Sequence, residues 1–80
     1  MKHSQWTAQV TRFRAACRLI KNDCPDTYAK AYATRGMDMQ TEGEISSQID
    51  YLLSNIRYWR GLEAKHVKSE LKAVKEGIGE

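Results

Sequence analysis

Little in this chain of 80 residues points to chemistry. It has two cysteines, two histidines, one proline and one phenylalanine. Cys17 and Cys24 stand seven positions apart, whereas structural zinc sites use tight C-x₂₋₄-C pairs. With only His3 and His66 as other soft ligands, no metal site is expected. A disulfide is not expected either in a chain of cytoplasmic character. A thiolate at Cys24 would gain from a helix start, but no histidine is placed to serve it. The glycines at 36, 43, 61, 77 and 79 make no phosphate-cradling loop. The expectation is a protein that is not an enzyme and has no cofactor.

Other absences bound the class. No apolar run approaches the ~18–20 residues needed to span a bilayer. The segment MKHSQWTAQV lacks the apolar stretch and cleavage site of a secretory signal. A cytoplasmic protein without membrane contact is expected. No alternating run argues for a strand, and no internal repeat or low-complexity segment stands out.

What is present is helical patterning. Trp6, Val10, Phe13, Cys17 and Ile20 form one apolar seam at three-and-four spacing, predicting a helix over 4–21 with Ser4 as its cap. Pro25 suits the first position of a second helix, predicted over 25–35, with Asp26 in its first turn. Tyr28, Ala29, Tyr32 and Ala33 should face inward there, and Gly36 should end it in the left-handed conformation. Met37 and Met39 should tuck under a linker as flexible fillers. Thr41 and Glu44 form a capping box, in which the hydroxyl takes one orphan N–H and the carboxylate reaches back to another.

A third helix is predicted over 42–59, with Ile45, Ile49, Leu52, Leu53 and Ile56 on one face. The same spacing resumes at Ala64, Val67, Leu71, Val74 and Ile78, predicting a fourth helix over 62–76. Gly61 offers a left-handed stop between them, with Leu62 packing back on the preceding turn. The alternative is one continuous helix from 42 to 76, roughly 50 Å long, which would require a dimer or an extended partner. The broken version gives an all-α fold, a small bundle of about four helices, in a single domain over 1–80. Its core should hold Trp6, Phe13, Ile20, Ile49, Leu52, Leu53, Ile56, Val67 and Leu71. Monomer and homodimer both remain open.

Charge is unevenly spread. Residues 1–21 carry five basic groups and no acid, whereas 22–50 carry six acids against Lys30 and Arg35. Such segregation either steers an acidic partner to the ends or is neutralised within the fold. The first helix bears Arg12, Arg14, Arg18 and Lys21, and the last Lys65, Lys68, Lys72 and Lys75. Either face suits phosphate contacts, although Glu63, Glu70 and Glu76 dilute the last helix.

The most function-like cluster is Arg57, Tyr58, Trp59 and Arg60, because Trp, Tyr and Arg dominate binding hot spots. Tyr51, seven residues before Tyr58, would share its face on a helix. The bland alternative is that Trp59 caps the core and the arginines are solvated.

The segment EISSQIDYLLSNIRYWRGLEAKHVKSELK resembles the carboxy-terminal half of small phage and prophage accessory proteins. The matching residues are Gln48, Leu52-Leu53, Ser54-Asn55, Trp59-Arg60-Gly61, Ala64, Val67 and Leu71-Lys72. With the Tyr-Ala-x-x-Tyr-Ala run at 28–33, the resemblance covers roughly 28–75 and leaves out the first helix. It implies a genomic setting and no mechanism. The expected function is binding of a host protein, as an inhibitor or adaptor, with host defence among the candidate targets, through Tyr51, Arg57, Tyr58, Trp59 and Arg60. The alternative is a nucleic-acid binder using Arg12, Arg14, Arg18 and Lys21.

Overall fold

The computed structural model describes residues 3–78, with side chains described from Thr7 onward. It holds four helices and, among the described residues, no strand: α1 (His3–Asp23), α2 (Thr27–Gly36), α3 (Glu42–Ile56) and α4 (Leu62–Ile78). None is long and apolar enough to cross a membrane. Ser4, expected as a cap, lies within α1. The side chain of Trp6, expected in the core, is outside the described residues.

The connections are short, so consecutive helices run antiparallel. Gly36 at the end of α2 meets Phe13 and Cys17 of α1. Gln48 of α3 donates to the Tyr32 carbonyl of α2 at 2.7 Å. Lys75 of α4 pairs with Asp50 of α3. Arg12 of α1 and Glu70 of α4 close the ring with a two-pronged ion pair at 3.2 and 2.6 Å. The four helices thus form an up-and-down bundle in which α1 and α3 each pack on both α2 and α4.

The core is where the periodicity placed it. Phe13, Ile20, Ile49, Leu52, Ile56, Val67 and Leu71 are fully buried, while Leu53 is only half-buried. Cys24, in the 24–26 connection rather than at a helix start, is also fully buried. Each buried branched side chain contributes roughly 1.5–3 kcal/mol, and a bundle this small depends on all of them.

Several local expectations are corrected. Asp26 is the N-cap of α2, accepting from the Ala29 N–H at 2.8 Å, which puts Pro25 outside the helix. Tyr28 faces solvent, because α2 buries only the narrow Ala29–Ala33–Gly36 stripe against its neighbours. Gly36 is not left-handed; a Cβ there would lie 2.9 Å from Phe13 Cζ, so glycine is needed for close helix packing. Thr41 caps α3 through the Glu44 N–H at 3.2 Å, but the Glu44 carboxylate accepts from the Thr41 hydroxyl, not from a backbone N–H. Only half of the capping box forms.

The continuous helix does not form. α3 ends at Ile56, three residues before the expected end. Gly61 does carry the positive φ, +114°, but it stands at the entrance of α4, where its carbonyl accepts from Lys65 N–H at 3.0 Å. Leu62 is 88% exposed and does not pack back.

Candidate functional site

Because α3 stops early, Arg57, Tyr58, Trp59 and Arg60 lie in the turn between α3 and α4 and not on a helix face. The Trp59 N–H donates back to the Ile56 carbonyl at 2.9 Å, which bends the chain. That bend sends Trp59 half into the core and leaves its neighbours outside. Tyr58 is 74% exposed. The Arg57 guanidinium lies 4.8 Å from the Tyr58 ring centroid and donates to its hydroxyl at 2.9 Å. Such a cation–π contact contributes about 0.5–1 kcal/mol at an exposed site and holds the ring in one orientation.

The turn is stapled from α4. Lys68 Nζ donates to the Arg57 carbonyl at 3.1 Å and to the Trp59 carbonyl at 2.7 Å. The Arg57 carbonyl is at the C-cap, where the end of a helix leaves carbonyls without intrahelical partners, and the Trp59 carbonyl belongs to the turn itself. An ammonium also complements the negative end of the α3 dipole. The exposed aromatic therefore rides on a fixed backbone.

Beside Tyr58 lies an open groove of about 280 Å³, lined by Pro25, Asp26, Asn55, Tyr58 and Trp59. It brings the entrance of α2 against the exit of α3. Tyr51 does not continue it as a stripe with Tyr58, since Tyr58 has left the helix. Its ring stacks on Tyr32 of α2, centroids 5.5 Å apart, and remains 56% exposed.

The basic face of α1 is partly spent on the fold. Arg12 is held by Glu70, and that hydrogen bond pulls the Glu70 carboxyl below the usual carboxylate range. Arg14 is half-buried, its Nε enclosed without a partner, while Arg18 and Lys21 remain exposed. On α4, Lys68 and Lys75 are committed to the turn and to Asp50, leaving Lys65 and Lys72 exposed.

Both cysteines are free and buried, and burial pushes the Cys17 thiol up to about 12, far from a usable nucleophile. Three residues of the groove were not legible as site residues. Pro25, Asp26 and Asn55 each have a structural role in sequence, and only the antiparallel register of α2 and α3 brings them to Tyr58. Lys68 is eleven positions from Arg57, which on one continuous helix would leave them on the same face but about 16 Å apart, out of contact.

No protein-family model matches the chain, and neither a curated protein nor a solved structure matches it. Function has to be read from these side chains.

Proposed function

We propose that this is a small interaction protein of the phage or prophage kind, acting without an active site by binding a host protein at the α3–α4 corner. The observation that carries this is Tyr58, a large aromatic 74% exposed, gripped by Arg57 and mounted on a turn that Lys68 staples. Binding energy concentrates in aromatic and arginine anchors, and an anchor already immobilised loses little entropy on binding. Trp59 beneath it supplies the rigid floor, and Arg60 and Leu62 extend the surface.

The nucleic-acid reading has less support, because Arg12 is engaged by Glu70 and the stripe is thereby shortened to Arg14, Arg18 and Lys21. A photoreactive phenylalanine analogue in place of Tyr58 tests the proposal in cells of the host. A single dominant protein adduct from position 58, absent when the analogue replaces exposed Thr34 on α2, is the expected result. Equal adducts from both positions, or adducts only to nucleic acid, would count against it.

A further inference from the structure

The corner at 57–61 is the connection through which a helix can run on. Pro25 interrupts the first connection, having no N–H to donate and no place inside a helix. The second is committed to a cap, with the Thr41 hydroxyl accepting from the Glu44 N–H. The third holds neither device. Arg57 is already right-handed helical, at φ −60° and ψ −26°, and Gly61 has no side chain with which to cap α4. Arg57, Tyr58, Trp59 and Arg60 all tolerate a helix, and among the described residues only Gly61 holds a positive φ. The apolar phase runs on as well. Ile56 and Ala64, both buried, are two four-residue steps apart on one face.

A chain straightened there cannot stand alone. Over 42–78 its helix would be roughly 55 Å long, against a longest molecular dimension of 35 Å. It would carry Ala64, Val67, Leu71 and Val74 away from the core and uncover the groove they fill between α1 and α3. That groove is shaped for one occupant. Glu70 meets Arg12 on its α1 wall, Lys75 meets Asp50 on its α3 wall, and Gly77 passes Gln9 where a Cβ has no room. The α4 of a second copy satisfies each of these contacts, and a mutual exchange closes a twofold dimer that needs no new surface.

We infer that residues 57–61 are a hinge, and that two copies of the chain exchange α4 (Leu62–Ile78) through it to form a dimer. In the exchanged form α3 and α4 become one helix, and the α4 contacts of the monomer recur between copies. The dimer forfeits the corner itself: the Lys68 bonds to the Arg57 and Trp59 carbonyls, and the turned-out position of Tyr58. Lys68 is thus the latch of the monomer. Concentration sets the balance, since folding α4 back on its own chain needs no partner and exchange needs one. This gives the protein-binding corner a control: the monomer is the binding form and the dimer withholds it, a consequence that rests on the reading above. The exchange itself does not depend on that reading.

Chains of ordinary and of heavy nitrogen isotope are mixed, unfolded, refolded together at about 1 mM and separated by size. A carbodiimide then joins Lys75 to Asp50, and the linked peptides are weighed by mass spectrometry. In the monomer every link should stay within one isotope, whereas in the dimer about half should join an ordinary chain to a heavy one. Gly61→Ala should lower the dissociation constant of the dimer about a thousandfold, because alanine is strained in the turn, favoured in a helix and present at both hinges. At dilution, where both chains are monomeric, that variant is the less stable one. Lys68→Ala should act in the same direction, by about tenfold or more. Two glycines inserted after Gly61 should abolish the dimer and keep the helical spectrum of the monomer, since a longer, flexible connection no longer carries a helix. A parent chain that stays monomeric at this concentration overturns the inference. So does a dimer whose links never mix isotopes, or one that survives the glycine insertion. None of these outcomes touches binding at the corner, which the cross-link from position 58 decides by itself.

Discussion

The turn at 37–41 and the turn at 57–61 are one device built twice. In both, a helix ends (Gly36, Ile56), one αR residue follows (Met37, Arg57), and a half-buried side chain comes third (Met39, Trp59). Its N–H returns to the last helical carbonyl, at 3.1 Å in the first and 2.9 Å in the second. Two residues on, Thr41 or Gly61 opens the next helix. The backbones correspond; the side chains do not. The first turn closes on itself, with Thr41 and Glu44 satisfying each other. The second gives up the capping side chain, takes its staple from Lys68, and puts Tyr58, Arg60 and Leu62 into solvent. That contrast in exposed side chains is what the proposed binding role of the second corner rests on.

The largest expected effect is common to both corners. Leu52 lies in the middle of α3, the helix they share, and Leu52→Ala should cost about 2–5 kcal/mol in denaturant unfolding. Helical signal and Trp59 emission should fall together; separate transitions would mean that the corners are independently stable and the shared core is not what holds them.

Next come the two plugs. Trp59→Ala should destabilise by about 2–3 kcal/mol and Met39→Ala by about 1–2, since both are half-buried and tryptophan removes the larger surface. Reversal of that order would make Trp59 a surface group and not a floor. A smaller effect distinguishes the caps. Gly61→Ala forces a Cβ into φ +114° and should cost about 1–2 kcal/mol, although space around it is open. Thr41→Ala should cost about 1 kcal/mol by loss of its hydrogen bond. A Gly61→Ala variant that melts higher than the parent would refute the positive-φ turn.

How far the sequence reaches is visible in these same residues. The three-and-four spacing found all four helices and nearly all of the core, because burial of one face is a local, periodic property. It overran α3, because the phase from Ile56 through Trp59 to Ala64 also fits a continuous helix, which the Trp59–Ile56 hydrogen bond and the positive φ of Gly61 interrupt. It saw no repeat, since the paired positions Met37/Arg57, Met39/Trp59 and Thr41/Gly61 share no residue type. What repeats is backbone geometry and the size of the plug. Tyr58, Trp59 and the two arginines were legible as a cluster by composition. The groove was not, because Pro25 and Asp26 reach Asn55 and Tyr58 only through the packing of two helices.

The smallest effect tests the charges on either side of the second corner, and its sign is the informative part. Both Glu63 and Glu70 lie on α4, and their carboxyls shift in opposite directions from 4.5. Glu70 is lowered, first by its hydrogen bond from Arg12, with the charge of Arg12 and of His66 adding to it. Its contribution is present above the unfolded value and is lost as pH falls through the lower folded one. Both partners are partly solvated, so the pair is worth about 0.5 kcal/mol. Glu63 is raised, first by the hydrogen bond it shares with Asp23 and then by that charge. Its stabilising, protonated form is present below the unfolded value and lost as pH rises through the higher folded one. Melting curves between about pH 3 and pH 7 should therefore separate the variants. Glu70→Gln loses stability against the parent at neutral pH and draws level in acid. Glu63→Gln gains at neutral pH, because it removes the repulsion from Asp23. Shifts of the same sign in both variants would mean that Asp23 and Glu63 do not confront each other.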